Sequence, residues 1–546
     1  MARMCADQRP GTGSCQDADL ICRDGIRLKA AVWRPPGDGP WPALVMRQPY
    51  GRAIASSVTL AHPQWWAAQG YLVIVQDVRG QGESQGEFRG FAQEAADTAD
   101  TLAWVRCQPD CNGRIGLYGF SYQGFSQLVG DSSVPPPDCL APAMTGLDER
   151  DHWSCEGGAH WWHLGLGWGL QLAALQAARR GDAEAWDAIR CALETGSYLR
   201  EGRALLAQHD RRGMAHRWLS EDPRERQRWA IHSPAPGWLA KPMLLIGGWW
   251  DPHLRGVLDL QARSLAAGGE PELHIGPATH LQWWPEVQAL HRRFFQRHLI
   301  DADPDPTPHQ HPHQQVHLWD QRLECWGHGV ADRAEGGCWQ LWGNALSSHD
   351  PTVGQLRLAA ARQASPPTTP VVIVHDPWRP VPAIGGHLSA SAGRCDRRSL
   401  DARNDVVTFT SPPLESRHRL RGRPELELIA WADQPGFDLC AALSVCPAGS
   451  DAVEQLSTGV SRQLGPAALQ AQSQRLELQA LEAELQPGDR LRLSLAGAAW
   501  PAIAINPGHT EHPCGPPSSH CRIITITIRS DSARLRFLPL IPAPSR

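Results

Sequence analysis

The sequence predicts a mostly parallel α/β sheet, interrupted by a block of helices and followed by an all-β sandwich. Three observations point there. Apolar runs that read as strands alternate with helical stretches over residues 1–147. The strand signal disappears over 148–237 and resumes at 238–300. A polar, proline-rich linker at 301–315 then leads into residues 316–546, where short β-type runs replace helices. At 546 residues the chain is also too long for a single core.

Taken in order, LICRDGIRLKAAVWRP alternates polar and apolar around Asp24-Gly25, a two-residue hairpin signal. PALVMRQPY reads as a buried strand, Leu60 to Gln69 as a helix stopped by Gly70, and YLVIVQDVRG as a second buried strand before the glycine-rich loop QGESQGEF. A helix over about 92–106 leads into a strand that ends at Gly119. Strands this continuously apolar belong to a parallel sheet covered on both faces. GLQLAALQAARRGDAEAWDAIRCALETGSYLREGRALLAQHD carries helical periodicity broken by glycines and reads as an inserted cap. PMLLIGG and PELHIGP resume the strands, each followed by a helical stretch. After the linker DADPDPTPHQHPHQQ, the runs PVVIVHD, DVVTFTS, ELELIAWA, LCAALSV, LRLSLAG, CRIITITI and ARLRFLPL predict a β-sandwich or jelly roll.

With 42% apolar and 20% charged residues, a net charge of -5 and no block of one sign, the chain offers no electrostatic footprint for nucleic acid or an anionic membrane. Its amino-terminal segment lacks the apolar core of a signal peptide, and runs such as YLVIV are too short to span a bilayer, so a cytoplasmic location is expected. The 15 scattered cysteines fit reduced thiols better than a disulfide framework. Cys107 and Cys111 have no second pair at a zinc-like distance. His309, His311, His313 and His317 lie in or beside the linker, where nothing supplies a preformed metal geometry. No metal or cofactor enters the expected chemistry.

That chemistry centres on RIGLYGFSYQGFS, where an apolar strand turns sharply into a helix at Ser121. Such an elbow exposes a serine hydroxyl at the carboxyl end of a sheet and sets the next amide, that of Tyr122, beside it. The usual G-x-S-x-G has Gln123 in place of its second glycine, which arrives one residue later at Gly124. A serine needs a base to take its proton and an acid to orient that base, in the α/β-hydrolase order serine, acid, histidine. LLIGGWWDPHLRG puts Asp251 just past an apolar strand, and LHIGPATH puts His280 just past the next one. Taken alone, Asp251 is equally a helix N-cap and His280 one of 24 histidines; order and placement make them a set. Tyr50, at the end of PALVMRQPY, is the candidate second donor to an oxyanion.

RQPYGR, VQDVRGQGESQGEF, GFSYQGF, GGWWDPHLRG and GPATH, in that order, resemble the CocE/NonD serine hydrolases, a family that includes cocaine esterase-like enzymes and is related to X-Pro dipeptidyl-peptidases and α-amino acid ester hydrolases. HDPWRPVPAIGG, DARNDVVTFTSPPL and WPAIAINPG are similar to the family's C-terminal jelly roll, which is galactose-binding-like. The resemblance implies an α/β-hydrolase fold with a helical cap, a triad of Ser121, Asp251 and His280, and an oxyanion hole of Tyr50 and the Tyr122 amide. It also implies tolerance of a non-glycine at 123. GPATH carries Ala278 where relatives often have tryptophan, and Trp283 and Trp284 follow closely, so the pocket rim is expected to differ.

The expected function is hydrolysis of a small-molecule ester, amide or short peptide through an acyl-enzyme, with a homo-oligomer left open. Two other readings stand beside it. One is α-amino selectivity, for which DERD at 148–151 and Glu156 would supply carboxylates, although arginine-paired surface is their default reading. The other is a non-catalytic carbohydrate- or partner-binding protein. Trp153, Trp161, Trp162 and Trp168 either line an acyl pocket or form the cap's own core.

Overall fold

The computed structural model describes residues 14–54, 59–235, 237–301, 316–328, 333–359 and 369–541. Apart from Asp301, the linker with His309, His311 and His313 lies outside the described residues.

β1 (Cys15–Ile21) and β2 (Arg27–Trp33) form the opening hairpin. Its turn is one residue longer than the Asp24-Gly25 signal suggests. The Cys22 N–H donates to the Ile26 carbonyl and the Gly25 N–H to the Cys22 carbonyl, while Gly25 sits at φ 81°. This is the three-residue loop in which a turn is closed by a left-handed glycine, and the Asp24 carboxylate accepting the Ile26 N–H secures it.

The strands that follow are β3 (Trp41–Gln48), β4 (Leu72–Asp77), β5 (Cys111–Phe120), β6 (Cys139–Ala143), the two-residue pair β7 (Cys155–Glu156) and β8 (Ala159–His160), β9 (Leu244–Trp250) and β10 (Glu272–Thr279). Two more, β11 (Val316–Asp320) and β12 (Cys325–His328), come after the linker. All except β7 and β8 join one ten-stranded sheet in the order β1-β2-β4-β3-β5-β6-β9-β10-β11-β12, parallel from β4 to β11. Residues 316–328, expected to open the sandwich, therefore extend the first sheet. Their apolar alternation fits either sheet, and the edge left open at β10 decides between them.

Helices cover both faces, as continuous apolar strands require. Along β3, Ala43 and Val45 share a core with α2 (Glu94–Arg106), α3 (Tyr122–Leu128) and α8 (Leu254–Ala266). Leu44 and Met46 face α1 (Pro63–Ala68) and α9 (Val287–Phe295). The inserted cap is α4 (Trp162–Arg180), α5 (Ala183–Thr195), α6 (Tyr198–His209) and α7 (Met214–Ser220). α4 stops at the left-handed Gly181 (φ 70°), and Asp182 then caps α5 by accepting the Ala185 N–H. No helix among the described residues is long and apolar enough to cross a membrane.

Among the described residues, eleven strands of the C-terminal domain join one sheet, nine in a continuous path and two branching from it, around a core including Leu341, Val371, Phe409, Leu428, Phe437, Leu493 and Ile526. The runs CRIITITI and ARLRFLPL, read separately in the sequence, are one strand, Ile524–Leu538. Its register against His418–Ala432 shifts between the pairs Glu427–Arg534 and Ile429–Arg529, so the polar Ser530 to Ser532 stretch bulges out of the pairing instead of ending it.

A buried ion pair holds two of these strands together. Arg462 donates Nε and Nη2 to the Asp438 carboxylate at 2.8 and 2.7 Å, Asn506 adds a third hydrogen bond, and the Arg462 amide reaches the Gly157 carbonyl beside the cap at 2.7 Å. Both side chains are almost wholly buried. Asp438→Ala, which strands the guanidinium, is expected to lower unfolding free energy by about 3–5 kcal/mol in denaturant titration.

Candidate active site

β5 delivers the chain to Ser121 at φ 57° and ψ −127°, a conformation that few non-glycine residues adopt. Neighbouring bonds hold it there: the Ser121 N–H donates to the Ala143 carbonyl at the end of β6, and the Phe125 N–H returns to the Ser121 carbonyl, each at 3.0 Å. Gly119 (φ 140°) lies under the first turn of α3, where a Cβ would fall 2.5 Å from that of Gln123. A Cβ at Gly124 would meet the Ala143 carbonyl oxygen at 2.9 Å. Position 124, not 123, faces the β6 backbone. Gln123 instead points its amide at Gln48, donating at 3.2 Å.

The Tyr50 hydroxyl is hydrogen-bonded with Ser121 and accepts the indole N–H of Trp168 at 3.1 Å. Burial pushes this phenol up to about 12, against the opposing effect of those two bonds, so it remains a protonated donor. Tyr122 opens α3, so its N–H has no acceptor within the helix. Its side chain points inward and donates to Glu94 at 2.8 Å.

The Asp251 side chain has no solvent exposure. Oδ1 takes His280 Nδ1 at 2.7 Å, Oδ2 takes the His253 N–H at 3.1 Å as α8 begins, and the main-chain carbonyl accepts Gln479 Nε2 at 2.7 Å from the C-terminal domain. Asp251 therefore holds the His280 ring, but the N-cap of α8 is His253, so the N-cap reading of Asp251 is corrected: its carboxylate accepts the cap residue's own N–H. With Nδ1–H committed to the carboxylate, His280 keeps Nε2 as its acceptor. The His280 ring lies 5.3 Å from that of Phe120, the residue before Ser121, and its carbonyl accepts the Trp283 indole N–H at 3.1 Å.

His253, legible in GGWWDPHLRG but not singled out there, packs 4.9 Å from His280. Its Nδ1 donates to the His152 carbonyl at 2.7 Å, and burial pushes its pKa down to about 4. It is thus uncharged at neutral pH, sparing His280 a neighbouring cation. Gln479, distant in sequence, has no local signal at all.

The tryptophans divide. Trp168 reaches Tyr50, while Trp153 and Trp161 flank His253 at 4.5 and 5.6 Å. Trp162 packs with Leu166, Leu170 and Leu206 in the cap core and donates to the Leu199 carbonyl, so it is not brought to the site. The acids are engaged: Asp148 with Arg226, Glu149 with Arg217, Trp218 and His232, Asp151 with Arg150, and Glu156 with His387. Cys111 accepts the Gly113 N–H, and the described cysteines, Cys107 among them, are free thiols.

Residues 24–282 match the family X-Pro dipeptidyl-peptidase (S15 family), and residues 284–534 match the X-Pro dipeptidyl-peptidase C-terminal non-catalytic domain. Cocaine esterase of Rhodococcus sp. (strain MB1 Bresler) is 27% identical over 461 residues, covering 77% of this chain and 78% of that protein. Among solved structures, an aminopeptidase from the marine sediment archaeon Thaumarchaeota archaeon superposes with a TM-score of 0.71 at 18% identity, covering 99% of each chain. A CocE/NonD family hydrolase from Staphylococcus aureus gives 0.67 at 16% identity over 96% of this chain and 94% of that one.

Two outcomes follow from this geometry. Trp168→Phe removes the N–H that steadies Tyr50, and the loss of about 1 kcal/mol should slow ester turnover about fivefold in steady-state assays with the fold intact. His152 and His253 are held near 3 and 4 by burial, whereas an unfolded histidine titrates at about 6.5. The unfolded chain therefore binds more protons below that value. Their stabilisation is complete above pH 6.5 and is lost as pH falls toward 4, by about 2 kcal/mol per residue at pH 5, readable as a falling denaturant midpoint.

Proposed function

We propose that this chain, which belongs to the CocE/NonD family of serine hydrolases, cleaves carboxylic esters by acyl transfer through Ser121. The Ser121 oxygen attacks the carbonyl carbon as its proton passes to His280 Nε2, and the carbonyl electron pair moves onto oxygen. That oxyanion accepts hydrogen bonds from the Tyr50 hydroxyl and the Tyr122 amide, each worth about 3 kcal/mol in the transition state. Collapse breaks the bond to the leaving alcohol, which takes the proton back from His280. Water then repeats the sequence and frees the acid. Asp251 fixes the imidazole tautomer throughout, and no cofactor takes part.

The observation that carries the reading is the 2.7 Å contact between His280 Nδ1 and a fully buried Asp251 carboxylate, at the ends of adjacent strands β9 and β10. Support for Tyr50 comes from its hydrogen bonds. Its oxygen already accepts from Trp168, which leaves its own proton to give. Trp153, Trp161 and Trp168 then form an apolar acyl wall. A neutral acyl group suits it, because Asp148, Glu149 and Asp151 are already engaged by arginine or histidine.

One observation favours α-amino selectivity as a second reading. Glu156 Oε1 is buried with no hydrogen-bond partner, in a cleft it shares with Asp151, Trp161, Pro252 and Gln479.

A fluorophosphonate probe should label the wild-type chain and fail to label Ser121→Ala of unchanged circular dichroism. An unlabelled wild type overturns the proposal. The kcat/KM for a simple aryl ester should exceed that for its α-amino counterpart about tenfold or more, since burying an unpaired ammonium is costly. The reverse order selects the second reading.

A further inference from the structure

We propose that Glu272, His274 and His317 form a divalent-metal site, suited to zinc, which clamps β11 to the strand that leads to His280. Glu272 and His274 are two apart on β10 and so share one face, and β11 sets His317 directly opposite His274. One ligand atom from each of the three lies within 4.8 Å of the others. The imidazoles stack at 4.3 Å with an interplanar angle of 7°, and His274 Nε2 lies 2.8 Å from Glu272 Oε1. The other Glu272 oxygen accepts from Arg297 at 3.5 Å, so a cation held between Oε1 and His274 Nε2 would replace the proton that these two atoms now share.

The surroundings make this more than a surface cluster. The β9 residues paired with Glu272 and His274 are Leu244 and Ile246, which sit in the apolar core under α9 with Val287, Leu290 and Phe294. The His274 side chain is only 6% exposed, and Glu272 21%, so ionisable groups have been set at the margin of an apolar layer, where their desolvation needs compensation.

A second observation lies in the same layer. His291 on α9 is fully buried, and its Nδ1–H donates to the Val287 carbonyl at 3.0 Å. Nε2 therefore carries a lone pair, yet it has no partner among the described residues. Two imidazoles and one carboxylate make a three-protein-ligand zinc set whose fourth position takes water, and the His291 acceptor lies on α9, the helix over the same layer. The imidazole and carboxylate donors also admit cobalt in zinc's place.

His317 lies beside the linker as expected, but it belongs to a strand, which gives it a backbone geometry that the sequence did not supply. β11 is five residues long and pairs with β10 through Leu273, His274 and Ile275 only. A metal bond across that ladder would fasten the chain where it returns from the linker. His274 and His280 are six positions apart, about 20 Å of strand, so the site is distinct from the acyl chemistry.

The test uses the full-length chain, stripped with chelator and titrated with Co(II) and Zn(II). One equivalent should bind with the visible absorption of four-coordinate cobalt, raise the melting temperature and leave ester hydrolysis unchanged. His317→Gln and His274→Ala should each weaken binding about tenfold or more. His317→Gln, at a half-buried position, decides the matter if His274→Ala fails to fold. The triple variant His309→Ala, His311→Ala, His313→Ala should bind as the wild type does. Absence of the cobalt spectrum, or binding that survives His317→Gln and vanishes in the linker variant, overturns the proposal. So does a metal that inhibits hydrolysis, since Asp251, His253 and His280 also offer converging ligand atoms.

Discussion

A carboxylate with no access to water fixes the geometry around it. Taking an ion such as Asp251 out of water costs several kcal/mol unless every lone pair finds a donor. Here the donors come from separate parts of the chain: the His280 ring beyond β10 and the His253 amide at the start of α8. The main-chain carbonyl of the same residue is tied by Gln479, whose own carbonyl accepts the Ser457 hydroxyl at 2.6 Å. The charge cannot move without losing one of these bonds. The histidine's tautomer, the entry into α8 and the seating of the C-terminal domain are thus one constraint. A domain whose family description is non-catalytic nevertheless braces the loop that carries the proposed acid.

The strained serine depends on a second buried network. Tyr122, one residue past the elbow, donates to Glu94 of α2, and Glu94 accepts Arg47 Nη1 at 2.7 Å from β3. Arg47 Nε also donates to Gln76 of β4 at 2.7 Å. Three residues after Arg47 the chain reaches Tyr50. The network therefore sets the strand end that supplies the phenol against the elbow that supplies the hydroxyl. In a low-dielectric interior such bonds are stronger, and an unpaired member is correspondingly costly. The left-handed Ser121 backbone is held by surroundings that leave it no cheaper conformation.

Much of this was legible in the sequence because the relevant signals are local. The apolar runs read as ending at Gly119, Gly248 and Pro277 continue in the structure to Phe120, Trp250 and Thr279, and Ser121, Asp251 and His280 follow directly. What the sequence left open depends on contacts across the chain. Whether residues 316–320 extend the first sheet or begin the second turns on the free edge of β10, which no window around them reveals. The Ser530–Ser532 interruption looks like a turn until a bulge absorbs it. Gln479 and the Trp168–Tyr50 bond, spanning 228 and 118 residues, carry no periodicity of their own. The four cap tryptophans look alike in sequence, and only packing separates Trp162 from the rest.

That separation has a consequence for how specificity and chemistry are joined. Trp168 lies in α4, the helix whose other face, through Trp162, Leu166 and Leu170, is the core of the cap. The same helix donates the hydrogen bond that orients the Tyr50 hydroxyl. Trp168 also stacks on Trp218 of α7 and packs 6.0 Å from Trp153, which in turn lies 4.5 Å from His253. A rotation of α4 to admit a different acyl group would therefore pull on the phenol as well as reshape the wall. In such an arrangement the acyl pocket cannot be altered independently of the proposed oxyanion donor. Under the proposed mechanism, discrimination between substrates would enter through the rate of acyl transfer as well as through binding, because the tryptophans proposed to read the acyl group also position the proposed oxyanion donor.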